Sequence, residues 1–182
     1  MKKIGILVGS ARRGSFCQAI AGRLATLLPE GFEADFLKID DLAMFLQDYD
    51  DDGAVPEAWA RFRAQVRGYD AFIFVTPEYN RSVPPLLKNA VDIASRPFGQ
   101  NTWKGKPAMV LAVSPGRVGG FAAFLHLRQI LGSLNMRLLG YPETFLGDVV
   151  TFFDEEGVLS DEPNLLLQQW AKAFARWVEL VG

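Results

Sequence analysis

The segment that decides the fold is Ile4-Gly-Ile-Leu-Val8 followed by Gly9-Ser-Ala-Arg-Arg-Gly-Ser15. The first five residues form a short apolar run, which predicts a buried strand of a parallel sheet that leads into a helix. The turn after it contains several groups that can donate hydrogen bonds to an anion. Glycine allows backbone N–H groups to converge, Ser10 and Ser15 supply hydroxyls, and Arg12 supplies a guanidinium at the positive end of the next helix. The turn therefore predicts a phosphate-binding site.

Neither of the two common phosphate fingerprints follows this strand. The chain has no G-x-x-x-x-G-K-[ST] and no G-x-G-x-x-G there, which argues against a nucleoside triphosphatase and a standard Rossmann dehydrogenase. A loop rich in serine and arginine, without a P-loop lysine, suits a phosphate that is held rather than transferred. We expect a phosphorylated cofactor.

The composition favours one globular domain and a small-molecule partner. The 182 residues are 49% apolar, which suits a single domain over residues 1–182 that buries roughly 70% of its unfolded surface. The net charge of −2 gives no footprint for nucleic acid or an anionic membrane. No apolar run approaches the roughly 20 residues of a membrane span, and the N-terminus enters a strand directly, so we expect a cytoplasmic protein. The single Cys17 and single His126 argue against a disulfide and a zinc site, and we expect no metal.

Five strand patterns alternate with five helix patterns. The strands are predicted at 3–9, 33–39, 70–76, 107–114 and 138–146, and the helices at 15–28, 56–68, 84–96, 120–134 and 163–180. Ser15 with Gln18 has the spacing of a capping box at the first helix. In the last helix, Trp170, Phe174 and Val178 share one face, which predicts core packing.

This alternation predicts an α/β fold: a flavodoxin-like three-layer αβα sandwich with a five-stranded parallel sheet of order 2-1-3-4-5. Its switch point lies between the first and third strands, where proteins of this order bind FMN. A second polar loop, Pro77-Glu-Tyr-Asn-Arg-Ser82, follows the third strand at that point. The fourth strand ends in Ser114-Pro-Gly-Arg-Val-Gly-Gly120, whose glycines allow backbone to approach a planar ring. We expect the three loops to meet in one crevice.

The motifs in these loops resemble those of the NADPH-dependent FMN reductase family, and within it the chromate and quinone reductase branch. The resemblance is carried by Gly9-Ser-x-Arg-x-x-Ser15, by Thr76-Pro-Glu-Tyr-Asn-x-Ser82-x-Pro84 with Leu87-Lys-Asn-Ala-x-Asp92, and by Gly119-Gly120 before Leu127-Arg-Gln-Ile-Leu131. It extends over about residues 3 to 146 and includes Ser95-Arg-Pro97 and Lys104-Gly-Lys-Pro107. The family usually has asparagine at the position of Cys17, a difference that implies looser binding of FMN.

The resemblance implies a role for each loop. Ser10, Arg12 and Ser15 would hold the FMN phosphate. The loop after the third strand would line the ribityl chain and isoalloxazine, and the loop after the fourth would border the ring. The residues assigned to FMN are Ser10, Arg12, Ser15, Phe16, Cys17, Pro77, Glu78, Tyr79, Asn80, Ser82, Ser114, Gly116 and Gly119.

The implied activity is an NAD(P)H-dependent oxidoreductase. NADPH or NADH would pass hydride to bound FMN, and a quinone, azo, nitroaromatic or chromate-like acceptor would then take the electrons. The chemistry belongs to the cofactor, so no acid or base residue is required. The family also implies a homodimer or homotetramer, for which apolar residues around Phe45, Leu46 and 121–125 are candidate contacts.

Two other functions share the predicted fold. A receiver domain would need carboxylates at the ends of its first and third strands, where this chain has Gly9-Ser10 and Thr76-Pro77. A flavin electron carrier or a flavin-binding sensor stays open as an alternative, although carriers are commonly strongly acidic and this chain is not.

Three further features receive structural interpretations. We interpret Cys17 as a small packed residue, with a reactive thiol at the helix start as the alternative. His126 is predicted to make a surface or subunit contact and is assigned no catalytic role. The acidic run 48–53 imitates the start of an EF-hand loop but has Trp59 in place of the final glutamate, so it is interpreted as a solvated loop.

Overall fold

The sheet follows the predicted strand order. In the computed structural model, which describes all residues from Met1 to Gly182, parallel strands are arranged in the order β2-β1-β3-β4-β5, with β6 also paired to β4. The strands are β1 (Lys2–Val8), β2 (Phe32–Phe36), β3 (Ala71–Thr76), β4 (Pro107–Val113), β5 (Arg137–Leu138) and β6 (Phe145–Leu146). The flavodoxin-like prediction is therefore confirmed.

Helices cover both faces of this sheet. They are α1 (Phe16–Thr26), α2 (Asp48–Asp51), α3 (Glu57–Gly68), α4 (Pro85–Ala94), α5 (Phe121–Ser133) and α6 (Asp161–Val181), with a 3-10 turn at Val149–Phe152. Ser15 caps α1 as predicted, since its hydroxyl accepts the N–H of Gln18 at 3.4 Å. No helix combines the length and the apolar character that crossing a bilayer requires.

Alternation along the central strands divides the core into two halves. Phe72 and Phe74 of β3 pack towards α3, α4 and α5, whereas Ile73 and Val75 pack towards α1 and α6. Every residue of β3 and β4 is buried, as expected for parallel strands covered on both faces. Trp170, Phe174 and Val178 of α6 lie in the second half, which confirms the predicted packing of their shared face.

The predicted fifth strand, 138–146, is interrupted. Pro107 pairs with Arg137 in β5, whereas Ala112 pairs with Phe145 in β6. The segment from Arg137 to Phe145 thus has more residues than the part of β4 that it lies beside, Pro107 to Ala112. The additional residues form a loop between β5 and β6. This loop contains Pro142, which has no N–H for a sheet hydrogen bond. Its two flanks still pair with β4, so the sheet keeps its predicted edge.

The interpretation of residues 48–53 as a solvated loop is wrong. Residues 48–51 form the short helix α2, and Asp50 makes a bidentate pair with Arg63 of α3 at 2.6 and 2.7 Å. Both side chains are only 6% exposed. Arg63 also donates to the carbonyl of Ile93 at 2.8 Å, so the buried pair links α2 to α3, and Arg63 links α3 to α4. The acidic run alone does not reveal its buried basic partner.

Candidate functional site

Three loops meet at the carboxyl ends of β1, β3 and β4, which are adjacent in the sheet. We call them the first loop (residues 9–15), the second loop (77–84) and the third loop (114–120). They enclose a cavity of about 240 Å³. It is lined by Ser10, Arg12, Ser15, Phe16, Cys17, Pro77, Glu78, Tyr79, Val113, Ser114 and Pro115. The predicted crevice is therefore present.

The cavity includes most of the residues that the sequence predicts for it. Of the predicted set, Asn80, Ser82, Gly116 and Gly119 lie outside its lining. Val113 and Pro115 line it and were not predicted, because an apolar strand end and a turn proline carry no ligand signal of their own. Both flank Ser114 in sequence, which is the only indication that the chain gives.

The first loop combines buried hydroxyls with an exposed cation. Ser10 and Ser15 are 8% and 6% exposed, and Ser15 lies at the start of α1, where backbone N–H groups point out of the helix. The Arg12 guanidinium lies 5.3 Å from the centroid of the Phe16 ring. Its side chain is exposed and forms no ion pair, since its single hydrogen bond goes to the carbonyl of Arg13 at 3.2 Å. This donor set fits a phosphate group.

Gly9 lets the first loop approach the second. A Cβ atom at this position would lie 2.8 Å from Cγ of Pro84 and 3.2 Å from Leu87. Both neighbours are packed at the start of α4, so a side chain at Gly9 would push the two loops apart. Close approach of these loops depends on the missing side chain.

The second loop contains a tight hairpin. Tyr79 and Ser82 exchange two backbone hydrogen bonds, both 2.9 Å. Between them Asn80 and Arg81 have φ values of 50° and 65°, so both adopt the left-handed conformation of a type I′ turn. Asparagine tolerates this conformation, but arginine at the second position is unusual and needs support from its surroundings. We call residues 79–82 the site turn.

The Glu78 carboxylate supports this turn and caps a helix. One oxygen accepts the backbone N–H groups of Ala122 and Ala123 at 3.0 and 3.2 Å, and the other accepts Arg81 at 3.0 Å. The residue before α5 is Gly120, which has no side chain to cap the helix. Glu78 takes over this task from another loop, and the favourable charge lies at the positive end of the helix. Glu78 lines the cavity, but its carboxylate is occupied by α5 and Arg81.

His126 contacts Ser82, one of the predicted site residues, although the sequence predicts only a surface or subunit contact for His126. Its Nδ1 lies 2.9 Å from Oγ of Ser82. His126 is four residues after Ala122 on α5 and therefore lies on the same face of the helix. The available signal was this spacing: Glu78 and Ser82 are four residues apart, and so are Ala122 and His126.

The third loop is shaped by glycine. Gly119 has a φ of 71°, and a Cβ there would lie 2.9 Å from the backbone nitrogen of Gly147. Ser114 accepts the N–H of Gly116 at 3.0 Å, and its own N–H donates to the carbonyl of Leu146 at 2.9 Å. The third loop therefore rests on β6, the second part of the interrupted strand.

Cys17 is a small packed residue, as interpreted from the sequence. It is 3% exposed, and its Sγ lies 4.0 Å from the carbonyl oxygen of Val113. Burial raises the pKa of the Cys17 thiol from 9.0 to about 12, against smaller opposing effects of Ser15 and Arg12. Burial of Cys17 argues against the alternative of a reactive thiol at the helix start, because little of the side chain is open to a reagent.

The fold and the cavity define a class of protein. The sheet order reverses between β1 and β3, and hydrogen-bond donors suited to a phosphate lie at that switch point. This combination is typical of flavodoxin-like cofactor-binding proteins. A family model described as NADPH-dependent FMN reductase matches residues 2–149, and the chain belongs to this family. It is an oxidoreductase with FMN as cofactor and NAD(P)H as co-substrate, which confirms these predictions.

Named relatives match nearly the whole chain. It is 44% identical over 177 residues to a quinone reductase of Pseudomonas putida, covering 97% of this chain and 95% of the relative. It is 41% identical over 177 residues to a 2-hydroxy-1,4-benzoquinone reductase of a Burkholderia species, covering 97% and 96%. The structure of FerB, an NAD(P)H:(acceptor) oxidoreductase from Paracoccus denitrificans, superposes with a TM-score of 0.91 at 35% identity and full coverage of both chains.

Proposed function

We propose that this protein is an NAD(P)H-dependent quinone reductase that holds FMN in the cavity of the three loops. The observation that carries the proposal is the grouping of Ser10, Arg12 and Ser15 at the start of α1, on one cavity with Tyr79. Relatives named as quinone reductases support the choice of acceptor. Azo compounds, nitroaromatics and chromate-like oxyanions are further proposed acceptors.

Each loop has its own task in this proposal. Ser10 and Ser15 donate hydroxyl hydrogen bonds to the phosphate, and Arg12 adds a charge-assisted one. Phe16 and Cys17 border the phosphate end. The second loop contributes Pro77 to Asn80 and Ser82 along the ribityl chain and ring, and the third contributes Ser114, Gly116 and Gly119 at the ring edge.

The protein's residues bind and orient the cofactor. FMN supplies the hydride-accepting chemistry when bound, so the proposal needs no acid–base pair from the protein. Tyr79 is 47% exposed, which leaves an aromatic surface at the rim of the cavity for a flat acceptor. An open rim suits an enzyme in which nicotinamide and acceptor bind in turn.

The substitution Arg12→Ala tests the phosphate assignment, and Arg13→Ala at the neighbouring position is its control. Both arginines are exposed, but only Arg12 lines the cavity. A charge-assisted hydrogen bond is worth about 1.5–3 kcal/mol, so Arg12→Ala should weaken FMN binding about tenfold or more, with little change for Arg13→Ala. Kd is measured from the quenching of FMN fluorescence. Equal Kd values for Arg12→Ala and the wild type would reject the assignment.

The reaction is tested on the FMN-loaded protein. Anaerobic NADPH or NADH should bleach the flavin absorbance, and a benzoquinone should restore it within the mixing time. Bleaching that is restored by oxygen but not by quinone would contradict the proposed acceptor. Loaded flavin that neither nucleotide bleaches would instead favour an electron carrier or sensor.

We further propose a cytoplasmic homodimer or homotetramer. Leu46 and Leu125 of the predicted contact regions are both 47% exposed, which suits a subunit interface. Phe124 is only 1% exposed and packs in the core, so it is not part of such a surface. Sedimentation equilibrium distinguishes the two oligomers, and a monomer at micromolar concentration would contradict both.

A further inference from the structure

The site turn has a conformation that it does not hold by itself. Asn80 and Arg81 both have positive φ values, and Arg81 occupies a position where a type I′ turn prefers glycine. Residues with a Cβ keep this conformation where the surrounding structure fixes it, and such residues cluster at functional sites. The contacts around the turn therefore determine its shape.

Helix α5 fixes the site turn at both ends. At the entry, Glu78 accepts the N–H of Ala122 at 3.0 Å, and at the exit Ser82 pairs with His126 at 2.9 Å. Each bond joins residues 44 positions apart in the chain. The step of four residues along the second loop thus matches one turn of α5, and the site turn lies along one face of this helix.

We infer that His126 is a positioning residue for bound FMN: its hydrogen bond to Ser82 holds the exit of the site turn at a fixed distance from α5. The inference rests on the proposed function, in which the second loop lines the flavin. The third loop leads directly into α5, so this bond also fixes the second loop relative to the third. His126 itself lies outside the lining of the cavity.

The surroundings of His126 separate this role from a contribution to folding. The side chain is exposed, is not part of the apolar core, and makes its one side-chain hydrogen bond with Ser82. Its replacement creates no cavity and leaves no buried polar group unpaired. We therefore expect the substitution to alter FMN binding while the thermal stability of the apoprotein stays unchanged.

The test uses two substitutions of His126 and one matched control. His126→Leu removes the hydrogen bond. His126→Asn restores a polar atom at the same number of bonds from the backbone as Nδ1. Gln129→Leu is the control, because Gln129 is exposed on the same helix and has no side-chain partner. The readouts are Kd for FMN, the absorbance spectrum of the bound flavin and the melting temperature of the apoprotein.

We expect His126→Leu to weaken FMN binding about 3- to 10-fold, the range for one hydrogen bond, and to shift the bound-flavin spectrum towards that of free FMN. His126→Asn should recover most of the affinity, and Gln129→Leu should match the wild type. In a double-mutant cycle, His126→Leu combined with Ser82→Ala should bind FMN no more weakly than Ser82→Ala alone.

Failure of this inference and failure of the proposed site give different results. Weaker binding in Ser82→Ala with normal binding in His126→Leu would overturn the role of His126 and leave the site intact. Additive losses in the double variant, or no recovery with asparagine, would also overturn it. Normal FMN binding in both Ser82→Ala and Arg12→Ala would instead reject the proposed site.

Discussion

Glu78→Ala should destabilise the protein because α5 begins without a cap of its own. Loss of a capping side chain costs about 0.5–2 kcal/mol. Loss of a negative charge at a helix N-terminus adds about 0.3–1 kcal/mol, and the Glu78 side chain is only 12% exposed, so solvent screens it weakly. We add nothing for the pair with Arg81, whose side chain is 74% exposed. The total is about 1–3 kcal/mol of unfolding free energy.

The assay for this prediction is thermal unfolding of the apoprotein. For a chain of this length each kcal/mol shifts Tm by about 2–4 °C, so Glu78→Ala should lower Tm by about 2–12 °C. Glu78→Gln keeps an oxygen acceptor and loses only the charge, which predicts a smaller fall of about 1–4 °C. Glu30→Ala, an exposed residue without a side-chain partner, is the control. A Tm for Glu78→Ala that matches this control would refute the capping argument.

The further predictions concern two buried groups, Asp50 and Cys17. Asp50→Asn breaks a buried ion pair with Arg63, which should cost about 3–5 kcal/mol of unfolding free energy and lower Tm by about 6–20 °C. Asp51→Asn, at an exposed position, is the control and should change Tm little. Similar Tm values for the two variants would contradict the prediction. Cys17 should react with a thiol reagent at pH 8 on the order of a thousandfold more slowly in the folded than in the unfolded protein, and equal rates would disprove its burial. Because its folded pKa of about 12 lies above 9.0, stability from this group is present below about pH 9 and is lost as the pH rises towards 12.

The sequence predicts those parts of the fold that depend on local pattern. The runs at β3 and β4 are continuous and apolar, and the loops that follow them are polar, so both the strands and the edge that carries the site follow from periodicity and turn residues. The order of the strands follows from where those loops must meet. Nine of the residues that line the cavity were predicted on this basis together with the family resemblance.

The errors arise where a residue's environment depends on distant parts of the chain. Pro142 sits within a run that has the hydrophobicity of a strand, and only the pairing with β4 shows how the chain loops out around it. Asp50 lies in an acidic run typical of a solvated loop, but α3 brings Arg63 onto it. In both cases the local sequence does match the predicted pattern, but tertiary contacts determine the structure that forms.

The three helix starts at the site edge explain why α1 is the one suited to phosphate. α4 begins at Pro85 and is preceded by Pro84, and neither residue has an N–H group to offer. At α5 the N–H groups of Ala122 and Ala123 are already occupied by Glu78, whose negative charge would also repel an anion. α1 has no acidic residue in its first turn and is flanked by the hydroxyl of Ser15. Of the three helix starts, α1 therefore combines backbone and hydroxyl donors with no carboxylate in its first turn, which supports the proposed position of the FMN phosphate.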